Sequence, residues 1–250
     1  MKLGIIGGSG LYALPGIEFL GERACMTAWG APSAPLTLGR LHGVDLVFLP
    51  RHGANHHLPP HLVNYRANVA ALAEAGVGAI VATAAVGGIE HLAGTGTIVV
   101  PDQLVDYTYG REHTYSDGTQ AHPLHVDFTH PYTPRLRAAL LAAADDAGLA
   151  VRRRGVYAAT QGPRLETAAE IDRLERDGCT IVGMTGMPEA GLARELGVDY
   201  ANISLVVNAA AGRAAGEITM AEIEAALAEG MGRVKTVIAA LCRRLASDGY

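Results

Sequence analysis

The chain has 250 residues, 49% of them hydrophobic and 18% charged, with a net charge of −5. That supplies a sizeable apolar core and excludes the basic footprint of a nucleic-acid binder. Cys25, Cys179 and Cys242 are odd in number and far apart, so neither a disulfide framework nor a zinc site is expected, and a reduced cytoplasmic setting fits best. The opening apolar run Leu3–Ile6 is too short for a signal peptide. No run of about 18 apolar residues predicts a membrane span.

The first strand, Leu3–Ile6, runs into Gly7-Gly8-Ser9-Gly10. A dinucleotide-binding glycine loop must open a helix, and Pro15-Gly16 follow too soon for one. Two readings remain: an anion loop in which backbone N–H groups and the Ser9 hydroxyl face one phosphate, or an ordinary tight turn. Strands are predicted next over Leu36–Leu41 and Val44–Leu49. Just beyond lies Arg51-His52-Gly53, where the arginine suits a paired contact to phosphate or a place at the surface. His52 offers either a donor or an acceptor for the phosphate proton. His56, His57 and His61 come soon after, but Pro59-Pro60 interrupts them and no helix presents them together, so no metal is expected. A helix is predicted from Asn64 to Ala75, stopped by Gly76. The strand Ala79–Ala85 and the following Val86-Gly87-Gly88 are built of small residues. These suit a ligand lying close to main chain, or close strand packing.

After a short strand at Thr97–Val100, the stretch from Asp106 to Tyr132 shows no periodicity. A loop that long usually serves function or an interface. Thr133-Pro134 then reads as an N-cap and first helical residue, with the helix ending near Gly148. The strand Gly155–Ala159 leads to Gln161-Gly162-Pro163-Arg164-Leu165-Glu166-Thr167, and Thr167 with Glu170 forms a capping-box pair. Glu166 gains from the helix dipole there, or it reads a ligand. Strand Thr180–Val182 leads to Gly183-Met184-Thr185-Gly186-Met187-Pro188-Glu189, with a helix from Pro188 to Gly197. Thr185 either caps that helix or binds phosphate, and Met184 is either core or a soft platform beneath a sugar. The last strand, Tyr200–Val207, ends at Asn208, whose amide carries both donor and acceptor and suits a turn or a purine edge. Thr219 with Glu222 repeats the capping box and starts a helix to about Leu245. The alternation predicts an α/β fold around a central sheet. No linker or repeat divides residues 1–250, so one domain is expected.

Each motif is weak alone, but their order is specific. Gly-Gly-Ser-Gly, Arg-His-Gly, Val63-Asn64-Tyr65-Arg66-Ala67-Asn68, Thr83-Ala84-Ala85-Val86-Gly87-Gly88, Gly-Pro-Arg-Leu-Glu-Thr and Gly-Met-Thr-Gly-Met-Pro-Glu follow one another. This succession resembles the trimeric purine nucleoside phosphorylase and methylthioadenosine phosphorylase family. The resemblance implies a mixed, barrel-like central sheet flanked by helices and a homotrimer. It implies a phosphate-dependent pentosyltransferase acting on a purine nucleoside, with no metal or organic cofactor and no nucleic-acid or membrane partner. By resemblance the phosphate contacts are Ser9, Arg51, His52, Ala85 and Thr185, with Ala84 beside them where methylthioadenosine phosphorylases usually have threonine. Met184 matches a ribose-binding methionine, Leu165 and Ala210 line the substrate site, and His125 resembles a residue reaching a neighbouring subunit's 5′ pocket.

The base site departs from the adenosine-type members. Those carry an Asp-x-Asp pattern after the last strand, where this chain has Asn208 and Ala210, and serine where it has Glu166. In this it resembles the inosine- and guanosine-cleaving members. Asn208 is expected to donate to O6 and N7 and to act catalytically, with His52, on the leaving base and phosphate; Glu166 is expected to accept from N1–H. The 5′ end differs again: no histidine follows His130, and Met220 stands where those members use a histidine for the 5′-hydroxyl. An apolar wall suits a methylthio group, so Glu166 and Met220 are the expected specificity residues and 5′-methylthioinosine the expected nucleoside. Inosine or guanosine phosphorolysis, methylthioadenosine phosphorolysis and a nucleotide-binding module on the Gly7–Gly10 loop remain as alternatives.

Overall fold

The computed structural model describes residues 2–8, 14–91, 93–119, 122 and 124–248, with the side chain of residue 248 excepted. Ser9, on which the anion-loop reading turns, lies outside the described residues. The described residues form a ten-stranded mixed sheet with five α-helices.

At its centre is β5 (Val77–Gly88). Strand β10 (Asp199–Ala209) runs parallel to it from Ala79 to Gly88. Strands β1 (Lys2–Gly7) and β9 (Ile181–Gly183) divide its other pairings: β1 takes residues 77–82 in parallel, and β9 meets Gly87 and Gly88 antiparallel. On the β1 side the sheet continues through β4 (Val44–Pro50), β3 (Leu36–Leu41) and the edge strand β2 (Glu18–Arg23). On the β9 side it continues through β8 (Val156–Ala159) to β7 (Gln103–Asp106). The short strand β6 (Ile98–Val99) pairs with β10 and touches Arg152 through a bridge at Val99. That contact ties β6 to the segment that leads into β8.

Alternation along the strands sorts the core into two faces. Leu3, Ile5, Ala79, Val81, Ala201, Ile203, Leu205 and Val207 pack under α2 (Pro134–Asp146) and α5 (Met220–Asp248). Ile6, Ile80, Ala82 and Tyr200 point the other way, toward α1 (Tyr65–Glu74) and α4 (Gly186–Glu195). Helix α3 (Ala168–Arg176) covers the β8–β9 end through Ile171 and Leu174. Its capping box is present as the sequence predicts: Glu170 N donates to the Thr167 hydroxyl, and Thr167 N donates to the Glu170 carboxylate. Two expectations shift. Thr133 makes no cap bond; its hydroxyl accepts from Tyr200 N at 3.1 Å instead, tying α2 to β10. Helix α4 starts at Gly186, before Pro188, and is interrupted at Met187, whose φ/ψ of −122°/142° are extended.

The branching of β5 needs a residue without a side chain. A Cβ on Gly88 would sit 1.9 Å from the Ala93 carbonyl oxygen, a backbone atom that cannot swing away. Gly88→Ala should therefore cost on the order of 2 kcal/mol or more of folding stability. Urea unfolding of the variant beside the unmodified protein checks this, and an unchanged midpoint would show that the junction is slack.

Candidate active site

The sheet brings the ends of β4, β5, β8, β9 and β10 together, and the residues singled out by motif lie at those ends. Arg51 follows β4 directly and is 2% exposed. Its Nε and Nη2 donate to the two carboxylate oxygens of Glu189, at 2.6 and 2.9 Å, and its Nη1 donates to the Thr83 carbonyl at 2.9 Å. Glu189 is wholly buried and also accepts from the Tyr200 hydroxyl at 2.8 Å. Burial alone would lower the Arg51 pKa, but the adjacent Glu189 charge and hydrogen bonds more than offset it and hold the guanidinium charged. Three of the five N–H groups of this arginine are thus committed to protein acceptors. The sequence marks Arg51, and Glu189 closes the motif that begins at Gly183, but nothing in either motif announces that the two are partners.

His52 Nδ1 lies 2.8 Å from the Leu58 carbonyl. A carbonyl can only accept, so Nδ1 carries the proton and neutral His52 presents Nε2 as an acceptor. Burial, and then the Arg51 charge, push the imidazole pKa down to about 4. Of the two roles the sequence leaves open, this geometry favours the acceptor. On β5, Ala84 is buried while Ala85 is exposed despite its place in a central strand, so its face opens onto space rather than core. Thr185 is buried at the start of α4, its N–H 3.4 Å from the Tyr157 hydroxyl. Tyr157 fills the gap that Gly183 and Gly186 leave: a Cβ on Gly183 would lie 2.2 Å from its hydroxyl oxygen, and one on Gly186 3.0 Å from its ring.

A cleft of about 660 Å³ is lined by Leu165, Glu166, Asn208 and Ala210, together with Thr95 and Ile218. Glu166 is half-buried and accepts from the Thr160 hydroxyl at 2.7 Å. Asn208 donates one amide hydrogen to the Ala209 carbonyl at 2.7 Å. It keeps its carbonyl and one N–H, enough for N7 or O6 but not for both while that bond stands, which narrows the sequence expectation. Met184 packs its sulfur against Gly162, where a Cβ would be 2.4 Å away. Met220 is 65% exposed at the start of α5 and does not line the cleft, whereas Ile218 does. His125 is exposed in the isolated chain.

Sequence reasoning also passes over Arg111, which lies inside the stretch from Asp106 to Tyr132 and is only 8% exposed. It spends its guanidinium on Thr160, Gln161, Met184, Met187 and Tyr65. No signal in a Gly- and His-rich loop distinguishes such an arginine from a solvated one.

This fold and this arrangement of strand-end loops have close counterparts. The chain belongs to the Phosphorylase superfamily, whose family model matches residues 2–243. A relative from Pseudomonas syringae pv. tomato, named as a probable S-methyl-5′-thioinosine phosphorylase, is 56% identical over 94% of this chain and 96% of its own length. The 6-oxopurine nucleoside phosphorylase of Pyrococcus furiosus is 43% identical over 89% and 84%. Among solved structures, methylthioadenosine phosphorylase from Schistosoma mansoni in complex with adenine superimposes with a TM-score of 0.93 at 31% identity, covering 99% of this chain and 92% of that one. The nucleoside phosphorylase fold expected from the motif order is therefore the fold observed.

Two stability effects follow. Glu189→Gln removes one partner of a buried pair and should cost about 3–5 kcal/mol in urea unfolding; a loss below about 1 kcal/mol would mean the pair is hydrated. For His52, the native pKa near 4 lies below the ordinary 6.5. Between these values the unfolded chain binds a proton that the native one refuses, so stability falls as pH drops from about 6.5 to 4. Allowing for partial solvent screening, the fall amounts to about 2 kcal/mol. His52→Gln should remove that portion of the slope, and identical slopes at pH 7, 6 and 5 would contradict it.

Proposed function

We propose that the protein catalyses phosphorolysis of S-methyl-5′-thioinosine to hypoxanthine and 5-methylthioribose 1-phosphate, as a cytoplasmic homotrimer serving purine salvage. The observation that carries this reading is the pairing of Glu166 and Asn208 in one cleft. A carboxylate acceptor and an amide donor complement the N1–H and the O6 or N7 of a 6-oxopurine. A 6-aminopurine would set its own acceptor N1 against Glu166, leaving buried polar groups unpaired at about 1–3 kcal/mol each. The naming of the 56% identical relative supports the same substrate. Ile218, two residues before Met220 in sequence, lines the cleft and offers an apolar side chain to a methylthio group.

In this reading phosphate, the co-substrate, is held by Ser9, Arg51, His52, Ala85 and Thr185, with Ala84 alongside. One of its oxygens attacks the anomeric carbon as the bond to purine N9 breaks, and the bond electrons leave with the base. The sugar carries positive charge on the way, which the adjacent phosphate charge stabilises. Asn208 donates to the purine as negative charge builds on it, and on release N7 takes up, through water, the proton that the attacking hydrogen phosphate gives up. Met184 supports the ribose, and Leu165 and Ala210 bound the base. His125 completes the 5′ pocket of a neighbouring subunit.

The deciding assay is phosphate-dependent release of hypoxanthine from methylthioinosine beside release of adenine from methylthioadenosine and hypoxanthine from inosine. The highest kcat/KM should belong to methylthioinosine, and a higher value for either rival would replace this reading. Asn208→Ala should lower kcat by about 100-fold, more than it raises KM, and an unchanged kcat would remove Asn208 from the chemistry.

A further inference from the structure

Arg111 is a buried cation with an unusual set of partners. Its Nε donates to the Gln161 side-chain carbonyl at 3.1 Å. Its Nη1 faces the Tyr65 hydroxyl oxygen at 3.1 Å and the carbonyls of Met184 and Met187 at 2.8 and 2.6 Å. Its Nη2 donates to the carbonyls of Thr160 and Gln161 at 3.2 and 2.8 Å. All five N–H groups are engaged, and the acceptors are an amide, a phenol and backbone carbonyls, none of them charged. With no donor left over, Arg111 can act on a ligand only through the groups it holds.

Apart from Tyr65, which opens α1, those groups belong to two segments that leave the sheet. One follows β8 and runs through Thr160 and Gln161 to Glu166; the other follows β9 through Met184 and Thr185 into the first turn of α4 at Met187. The Arg111 fork fixes the Thr160 backbone, and the Thr160 hydroxyl in turn donates to Glu166 Oε1 at 2.7 Å. The Thr160 N–H donates to the Gly183 carbonyl at 2.8 Å, so this residue is held from both sides. Glu166 follows Pro163 and Arg164 in a loop exposed at 163–165. Thr160 is the hydrogen-bond partner that fixes its carboxylate.

We infer that Arg111 is a positioning residue for base selection: it sets Thr160, and through the Thr160 hydroxyl it sets the Glu166 carboxylate against the nucleobase. This rests on the reading of Glu166 as the base-recognising acceptor. Lysine keeps the charge but offers a point donor in place of a planar fork, so Arg111→Lys loosens Thr160 and leaves Glu166 free to turn toward solvent. Selectivity then falls more than activity does.

The test measures kcat/KM for methylthioinosine and methylthioadenosine on the unmodified enzyme, Arg111→Lys, Glu166→Gln and the double variant, with circular dichroism as the folding check. The unmodified enzyme tests the underlying reading by itself: no preference for methylthioinosine defeats that reading, whatever Arg111 does. Given the preference, Arg111→Lys should shrink it about tenfold and add little in the Glu166→Gln background, since the two act in one chain of contacts. Equal losses on both nucleosides, or fully additive effects, overturn the inference. Should Arg111→Lys fail to fold, Thr160→Val removes the hydroxyl while keeping the carbonyl that Arg111 holds; it must show the same loss of preference, and a retained preference overturns the relay.

Discussion

A guanidinium at the end of β4 grips a carboxylate at the start of α4, and both are sealed from water. Arg51 also reaches the Thr83 carbonyl in β5, and Glu189 receives the Tyr200 hydroxyl from β10. One buried pair therefore fixes the mutual position of three strands and a helix at the sheet end where the candidate site lies. Such a pair brings little net stability, because desolvation consumes most of the Coulombic gain. What it brings is geometry: a bidentate fork tolerates little displacement. The loops after β5 and β9 inherit their places from it.

The two buried arginines do different electrostatic work. The charge of Arg51 is answered within the protein by Glu189, so an incoming anion meets a nearly neutral pair with two N–H groups to spare. Arg111 instead spends its N–H groups on uncharged acceptors, a phenol, an amide and backbone carbonyls. Its effect is carried by the segments it holds, those that bear Thr160 and Met184. Neutral His52, with its proton committed to Leu58, adds no charge of its own.

Local pattern made much of this architecture readable. The strand at Leu36–Leu41 and the capping box at Thr167 stand where alternation and cap chemistry put them, because each depends on neighbours in sequence. Edge strand β2 escapes such reading: Glu18–Arg23 is almost wholly exposed and buries no face, so it shows no apolar alternation. Strand β7 is hidden by its polar ends, Gln103 and Asp106. The site divides in the same way. Glu166, Asn208, Leu165 and Ala210 sit in recognisable strand-end motifs and do share one cleft. Glu189 and Arg111 gain their meaning from partners far off in sequence, Arg51 in one case and Thr160 and Met184 in the other. No spacing rule could announce them.

Tyr157 and the two glycines it fills have a bearing on how this chain can change over time. The ring occupies the volume that side chains at 183 and 186 would need, so three positions share a single allotment of space. None can drift alone: a larger residue at 183 is admissible only after the tyrosine has shrunk, and a shrunken tyrosine leaves a void under Thr185 until something grows to fill it. Lineages that alter this corner should do so by paired exchange, and intermediates with only one change should be the rare and fragile ones.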